Sequence, residues 1–140
     1  MIFEVIQAGN LHLVRDFMDR LGEDGQRSFR YFQKRPVEVV LTHLLCAVGT
    51  REGQPVAYGH LDKEGETTWL GIAVAADARG QRLGQQMITY LLEEARRLEQ
   101  KTIFLTVDRD NQAAIALYEK IGFVQIGQAE SYFKYQFTLV

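Results

Sequence analysis

The chain has 140 residues, 46% hydrophobic and 24% charged, which suits one folded domain over residues 1–140 and excludes a disordered tail or a membrane protein as a description of the whole. Lys and Arg number 16 against 18 Asp and Glu, and a formal net charge of -2 offers no field to recruit nucleic acid or anionic lipid. The single Cys46 forms no internal disulfide and excludes zinc sites built on paired cysteines, and no uncharged run approaches the roughly 20 residues that span a bilayer, so a cytoplasmic setting without metal is expected.

Residues 2–6 read as a strand. Leu11, Val14, Phe17, Met18 and Leu21 then recur at helical spacing, with Asn10 placed to cap the helix and Gly22 to stop it. QRSFRYFQKR, residues 26–35, mixes bases with aromatics and is expected to form a short helix ending before Pro36. Residues 44–50, 56–61 and 67–74 are β-prone runs joined by the turn formers REGQP and DKEGE, which predicts an antiparallel meander. Leu83, Met87, Ile88, Leu91, Leu92, Ala95 and Leu98 mark the inner face of a long amphipathic helix. TIFLTV, residues 102–107, is apolar on both faces, as a central strand covered on two sides would be. Strand, helix and strand in succession imply a right-handed crossover and a parallel pair.

Asn111 opens a shorter helix carrying Ala114, Leu117 and Ile121 on one side, and Gly122 suits the left-handed residue that ends it. Residues 123–126 form a further strand. Phe133, Tyr135, Phe137 and Leu139 alternate with Lys134, Gln136 and Thr138, the period of a half-buried strand. The expected fold class is α+β: a single mixed, mostly antiparallel sheet flanked by helices, with a parallel strand pair at its centre.

Chemistry concentrates in LGIAVAADARGQRLGQQM, where a strand runs into a loop with Gly80 and Gly84 and then into a helix. A helix start collects unpaired amides and the positive end of the dipole, so it binds phosphate. The glycines let backbone approach, and Arg79 and Arg82 add charge; the alternative is a capped, solvated loop. The sequence lacks GK[ST] and GxGxxG, so neither a triphosphate P-loop nor a dinucleotide fingerprint is present. The second signal is NQAAIALYEKIGF, at the start of the helix after the parallel strand.

Over residues 69–124 the order strand, RGxRxG loop, helix, strand, NxxAxxLYxxxGF helix resembles the GNAT superfamily of acyl-CoA-dependent N-acetyltransferases. The resemblance implies that Arg79, Gly80, Gln81, Arg82, Leu83, Gly84 and Gln85 cradle the pyrophosphate of acetyl-CoA. Arg82 stands where the family usually has a glycine. It further implies that Ile72, Ala73 and Val74 hold the pantetheine arm, that Asn111 and Ala114 touch the cofactor, and that Tyr118 lies near its sulfur. A phenol there protonates the departing thiolate; packing beside Leu117 is the other reading of Tyr118. The implied reaction is direct attack by an amine on the acetyl thioester, so Cys46 is read as a core residue.

The amine must be neutral to attack, and a typical ammonium with pKa ~10 is protonated at neutral pH. Many GNAT members carry a carboxylate on the fourth strand for this, but here that strand reads WLGIAV. His60 is the candidate base, expected opposite Thr68, with a structural histidine as the other reading. Asp62 and Glu64 are assigned to a solvated turn, and His12 and His43 have no chemical partner in view. Arg30 and Tyr31, with Arg27, Phe29 and Phe32, form a candidate acceptor wall; the alternative places Phe29 and Phe32 in the core and the arginines in water. The expected acceptor is a small-molecule primary amine, an amino sugar or amino acid among them. A non-catalytic acyl-CoA sensor and a protein or peptide N-acetyltransferase are the alternatives. A homodimer completed across the C-terminal strand is also weighed, against an edge strand packed on its own domain.

Overall fold

Two tight hairpins set the register of the first half of the sheet. In the computed structural model, which describes residues 1–139, strand β2 (Leu45–Arg51) turns into β3 (Gln54–Glu64) through Glu52 and Gly53, with φ of 54° and 79°. Positive φ at both central residues is the type I′ signature, whose twist matches that of the strands. β3 turns into β4 (Thr67–Val74) at Gly65, φ 61°, closing on the pair Glu64↔Thr67. The sheet has seven strands. β1 (Ile2–Val5) lies on one edge, then β2, β3 and β4, then β5 (Thr102–Asp108), β7 (Tyr132–Thr138) and β6 (Val124–Gln128) on the other edge.

Helices cover both faces. α1 (His12–Asp19) and α2 (Gly22–Ser28) lie on the side of Tyr58, whose ring packs on Phe17 at 5.9 Å and Phe29 at 5.3 Å. On the opposite side α3 (Leu83–Arg97) buries Met87, Ile88, Leu91 and Leu92, with Met87 and Leu91 directly over Gly59. α4 (Gln112–Ile121) follows β5, with Leu117 against Gly84 of α3 and Tyr118 against Phe123. Among the described residues no helix is long and apolar enough to cross a membrane.

β4 and β5 are the parallel pair expected from the sequence, yet they meet at one position only, Trp69↔Phe104. Beyond it the strands separate, and residues 70–74 of β4 have no strand on that edge. Ala75 donates its N–H to the Val56 carbonyl at 2.9 Å, so β4 and β3 pair narrowly at residues 75, 73 and 71. By the same alternation the N–H and C=O groups of Ile72 and Val74 turn into the gap.

Several local expectations change. Asn10 does not cap α1; its Oδ1 accepts from the Gln7 amide at 2.7 Å and its Nδ2 donates to the Val5 carbonyl, closing a turn back onto β1. Gly22, φ 79°, opens α2 rather than ending the region, and a Cβ there would lie 2.8 Å from that of Ala76. The expected helix over residues 26–35 ends at Ser28, since Phe29 turns extended to bring its ring onto Tyr58. β5 is covered on one face only: Ile103, Leu105 and Val107 are buried while Thr106 is exposed, because α1 lies over β2 and β3 instead. β7 is hydrogen-bonded to β5 and β6 on its two sides, so it has no free edge to extend a sheet into a second copy.

Candidate functional site

The separation of β4 from β5 opens a cavity of about 820 Å³ that runs between the strands and past the start of α3. At one end the chain enters α3 through Gly80, φ 79°, and Arg82, φ 63°. No side chain caps the helix, and the first intrahelical bond runs from Gln86 N–H to the Arg82 carbonyl. The amides of Leu83, Gly84 and Gln85 therefore have no acceptor among the described residues, at the positive end of a helix dipole. Gly84 sits where a Cβ would come within 3.4 Å of Leu117 and 3.8 Å of Ile72 and Val74, so α3, α4 and β4 converge on its bare backbone. Unpaired amides at a helix start are the arrangement that suits an anion.

Arg79 lines the cavity and is anchored from one side. Its Nη2 donates to the Leu21 carbonyl at 2.9 Å across Gly25, where a Cβ would lie 2.5 Å from that nitrogen. It ties the loop to the α1–α2 corner. Gln81 is the expected loop residue that does not line the cavity, because its Oε1 accepts from Arg51 on the outer surface. The exposed Arg82 makes no ion pair among the described residues. As a non-glycine residue in the left-handed region it is strained by about 1 kcal/mol. Arg82→Gly is expected to raise unfolding free energy by roughly 0.5–1 kcal/mol in urea melts.

Midway, Ile72, Ala73 and Val74 line one wall, and Asn111, Ala114 and Tyr118 the other. Asn111 caps α4, its Oδ1 accepting from the Ala114 amide at 3.2 Å. Tyr118 is 7% exposed, and burial raises its pKa well above 10, so the phenol carries its proton at any physiological pH. Among the described residues its hydroxyl has no hydrogen-bond partner, although the residue lines the cavity.

The far end holds Arg30, Tyr31, Arg35 and His60. Arg30 makes a bidentate pair with Asp108, both bonds 2.9 Å, so the segment after α2 reaches across the gap to the end of β5. Phe29 and Phe32 pack against Tyr58, as the alternative reading of this segment had it, but Tyr31 turns inward to His43 and Asp62. His60 lies opposite Gly71, not Thr68, because β3 continues to Glu64 before turning. A Cβ on Gly71 would lie 2.6 Å from His60 Cε1 and Nε2, so the imidazole rests on the bare backbone of β4. Its Nδ1 is 2.7 Å from the Tyr58 hydroxyl, and burial, with His43 and Arg35 nearby, pushes its pKa down to about 3. An imidazole held so firmly neutral is a poor match for the general base expected of His60.

Asp62 and His43 are corrected too. Asp62 belongs to β3, paired with Trp69, and is no part of a solvated turn; His43 has a fully buried side chain 2.6 Å from the Tyr31 hydroxyl. The period-2 spacing of Tyr58, His60 and Asp62 is the signal that puts them on one face once the strand is carried on to Glu64, but the approach of Tyr31 and His43 depends on irregular backbone. Cys46 is buried under Tyr58, and burial raises its thiol pKa to about 12, as suits a core residue. Burial also lowers the pKa of His43. Below pH 6.5 the unfolded chain binds protons that folded His60 and His43 refuse, so stability falls as the pH drops. Urea melts between pH 7 and 5 should show stability falling with pH, by up to about 1.4 kcal/mol per pH unit for His60.

The model of the Acetyltransferase (GNAT) family matches residues 11–123. The chain belongs to that family. Relatives agree: the [Ribosomal protein bS18]-alanine N-acetyltransferase of Escherichia coli K12 is 37% identical over 68 residues, covering 49% of this chain and 46% of that protein. The match thus spans less than half the length of that GNAT relative. The N-alpha-acetyltransferase RimI of Mycobacterium tuberculosis is 32% identical over 95 residues, 62% of this chain and 57% of that protein. Among solved structures, the GNAT domain of S. lividans PAT superposes with a TM-score of 0.86 at 12% identity, over 97% of this chain and 89% of that one. The E. coli S18-alanine N-acetyltransferase superposes with a TM-score of 0.75 at 19% identity, over 99% and 93%. At such identities the superpositions establish the shared GNAT fold alone.

Proposed function

We propose that the protein transfers an acetyl group from acetyl-CoA to a primary amine by direct attack, without an acyl-enzyme. The observation that carries this reading is one continuous cavity running from the uncapped amides of α3, along the unpaired edge of β4, to Tyr118 and the aromatic cluster around His60. The residues fit the donor. The amides of Leu83, Gly84 and Gln85, with the Arg82 guanidinium, suit a pyrophosphate. Ile72 and Val74 offer strand-like backbone partners to an extended amide-bearing arm, with Ala73 between them. Gly80 keeps the loop turn open, and Asn111 and Ala114 hold the start of α4 against the same space.

When bound, acetyl-CoA supplies the acyl group as an activated thioester. The buried Tyr118 phenol would give its proton to the departing sulfur and regain one from the attacking nitrogen, which sheds a proton on becoming an amide. No cysteine, serine or histidine nucleophile is required. The acceptor end, closed over by the Arg30–Asp108 pair, admits the amine of a small molecule. A second reading takes the α-amine of a peptide or protein N-terminus, and it is favoured by relatives whose names specify a ribosomal-protein alanine and N-alpha acetylation.

The test has two stages. Thermal melts with acetyl-CoA and free CoA should rise saturably with ligand, since a ligand of the native state raises the midpoint; no shift sinks the donor assignment. CoA release is then followed with amines, amino acids, amino sugars and short peptides. Turnover with one class assigns the acceptor, and a melt shift without turnover anywhere replaces the enzyme by an acyl-CoA-binding module.

A further inference from the structure

The acceptor ammonium must shed a proton, and the residues around His60 show where it can go. Tyr31 lines the cavity, its ring 4.4 Å from that of His60. Its hydroxyl donates to Asp62 Oδ2 at 3.1 Å and lies 2.6 Å from His43 Nε2. One hydroxyl proton cannot serve both neighbours, so with that proton on the Asp62 bond, His43 Nε2–H donates to the Tyr31 oxygen. That tautomer leaves His43 Nδ1 as a bare lone pair, the nitrogen that has no partner among the described residues although the side chain is fully buried. A buried imidazole with one unpaired nitrogen destabilises a core that an apolar side chain would fill. A core chosen for stability alone has no use for it.

We propose that Tyr31 takes the acceptor's ammonium proton while passing its own to Asp62, with His43 as the positioning residue that holds the hydroxyl in line. The proposal rests on the acetyltransferase reading above. In the step an N–H bond of the ammonium breaks and an O–H bond forms on Tyr31, as the original Tyr31 O–H breaks and one forms on Asp62 Oδ2. No co-reactant is needed. An ammonium and a carboxylate become a neutral amine and a neutral acid, which a partly desolvated site favours over the charged pair. Asp62 is 20% exposed at its side chain, so the proton can return from there to solvent.

The other groups facing the hydroxyl are consistent with this direction. His60 and Tyr58 are bonded to each other and stay neutral. The Arg35 guanidinium lies 4.3 Å over the Tyr31 ring and favours anionic character on the phenol, while Glu64 opposes it. Burial and Asp62 together raise the Tyr31 pKa, so its resting form is the phenol, which can relay a proton but not hold a charge.

The test compares pH profiles of kcat/KM, using an α-amine acceptor with pKa ~8 so that the amine is free at pH 9. Tyr31→Phe and Asp62→Asn should lose about 10²-fold at pH 6.5, a loss that shrinks towards pH 9 as the amine deprotonates without help. His43→Phe should follow them and His43→Gln, which keeps an N–H donor, should recover most of the activity. Acetyl-CoA melt shifts should match wild type throughout. A loss equal at every pH, or none, overturns the relay while leaving the acetyltransferase reading intact. A wild-type protein inactive on every amine and peptide overturns that reading, and the relay with it. Independently of activity, nitrogen NMR of the wild-type protein should find the proton of His43 on Nε2; a proton on Nδ1 alone contradicts the arrangement.

Discussion

Tyr118→Phe is expected to lower kcat by roughly 10²- to 10³-fold at neutral pH while leaving the acetyl-CoA melt shift unchanged. The substitution removes one oxygen and keeps the ring that packs on Phe123 at 5.8 Å. Because the hydroxyl has no hydrogen-bond partner among the described residues, its loss strands no buried donor or acceptor. Stability should therefore stay within about 0.5 kcal/mol of wild type. If Tyr118 were there only to pack beside Leu117, turnover would be untouched. Loss of the melt shift along with turnover would instead place the hydroxyl in donor binding. Single-turnover measurement of CoA release, run beside the melts, separates these outcomes.

Gly59→Val should be the most destabilising single change on the face beneath α3, by about 2–3 kcal/mol in urea midpoints. A Cβ at Gly59 would lie 2.7 Å from Met87 Sδ and 2.8 Å from both Met87 Cγ and Leu91 Cδ1. Both residues are fully buried, so neither side chain can swing into solvent and the helix itself must move. The start of that helix is the proposed phosphate cradle, so the acetyl-CoA melt shift should shrink with stability. Met87→Ala in the Gly59→Val background should recover part of both, since it vacates the space the new methyls need. Loss of stability with a full melt shift would show that the loop position is set by Arg79 and the α1–α2 corner rather than by α3.

Much of the donor side was legible without coordinates, because its signals are local. The left-handed residues of the loop, the unpaired amides of α3 and the cap at Asn111 are set by residues within a few positions of one another, and the Arg79–Gln85 stretch displays them directly. The same stretch concealed what each arginine does. Arg79 is anchored through one N–H group on the Leu21 carbonyl, more than fifty positions earlier, whereas Arg82 has no such tie among the described residues. The acceptor side was poorly legible for the converse reason. Residues 29–35 follow neither a 3.6 nor a 2.0 period, so nothing in their spacing says that Tyr31 turns to His43 and Asp62 while Arg30 reaches across to Asp108.

By itself, then, the sequence determined the strands of the mixed sheet, the parallel crossover between β4 and β5, the glycine-bearing loop that opens α3 and the membership of a family defined by those motifs. Those follow from hydrophobic period, capping chemistry and glycine placement, which act over a turn or a strand. Only the tertiary structure decided that β4 and β5 part after Trp69↔Phe104, that His60 rests on Gly71 with its imidazole held neutral, and that Tyr31, His43 and Asp62 meet. Each of those depends on strand register and on desolvation, and both are properties of how distant segments pack.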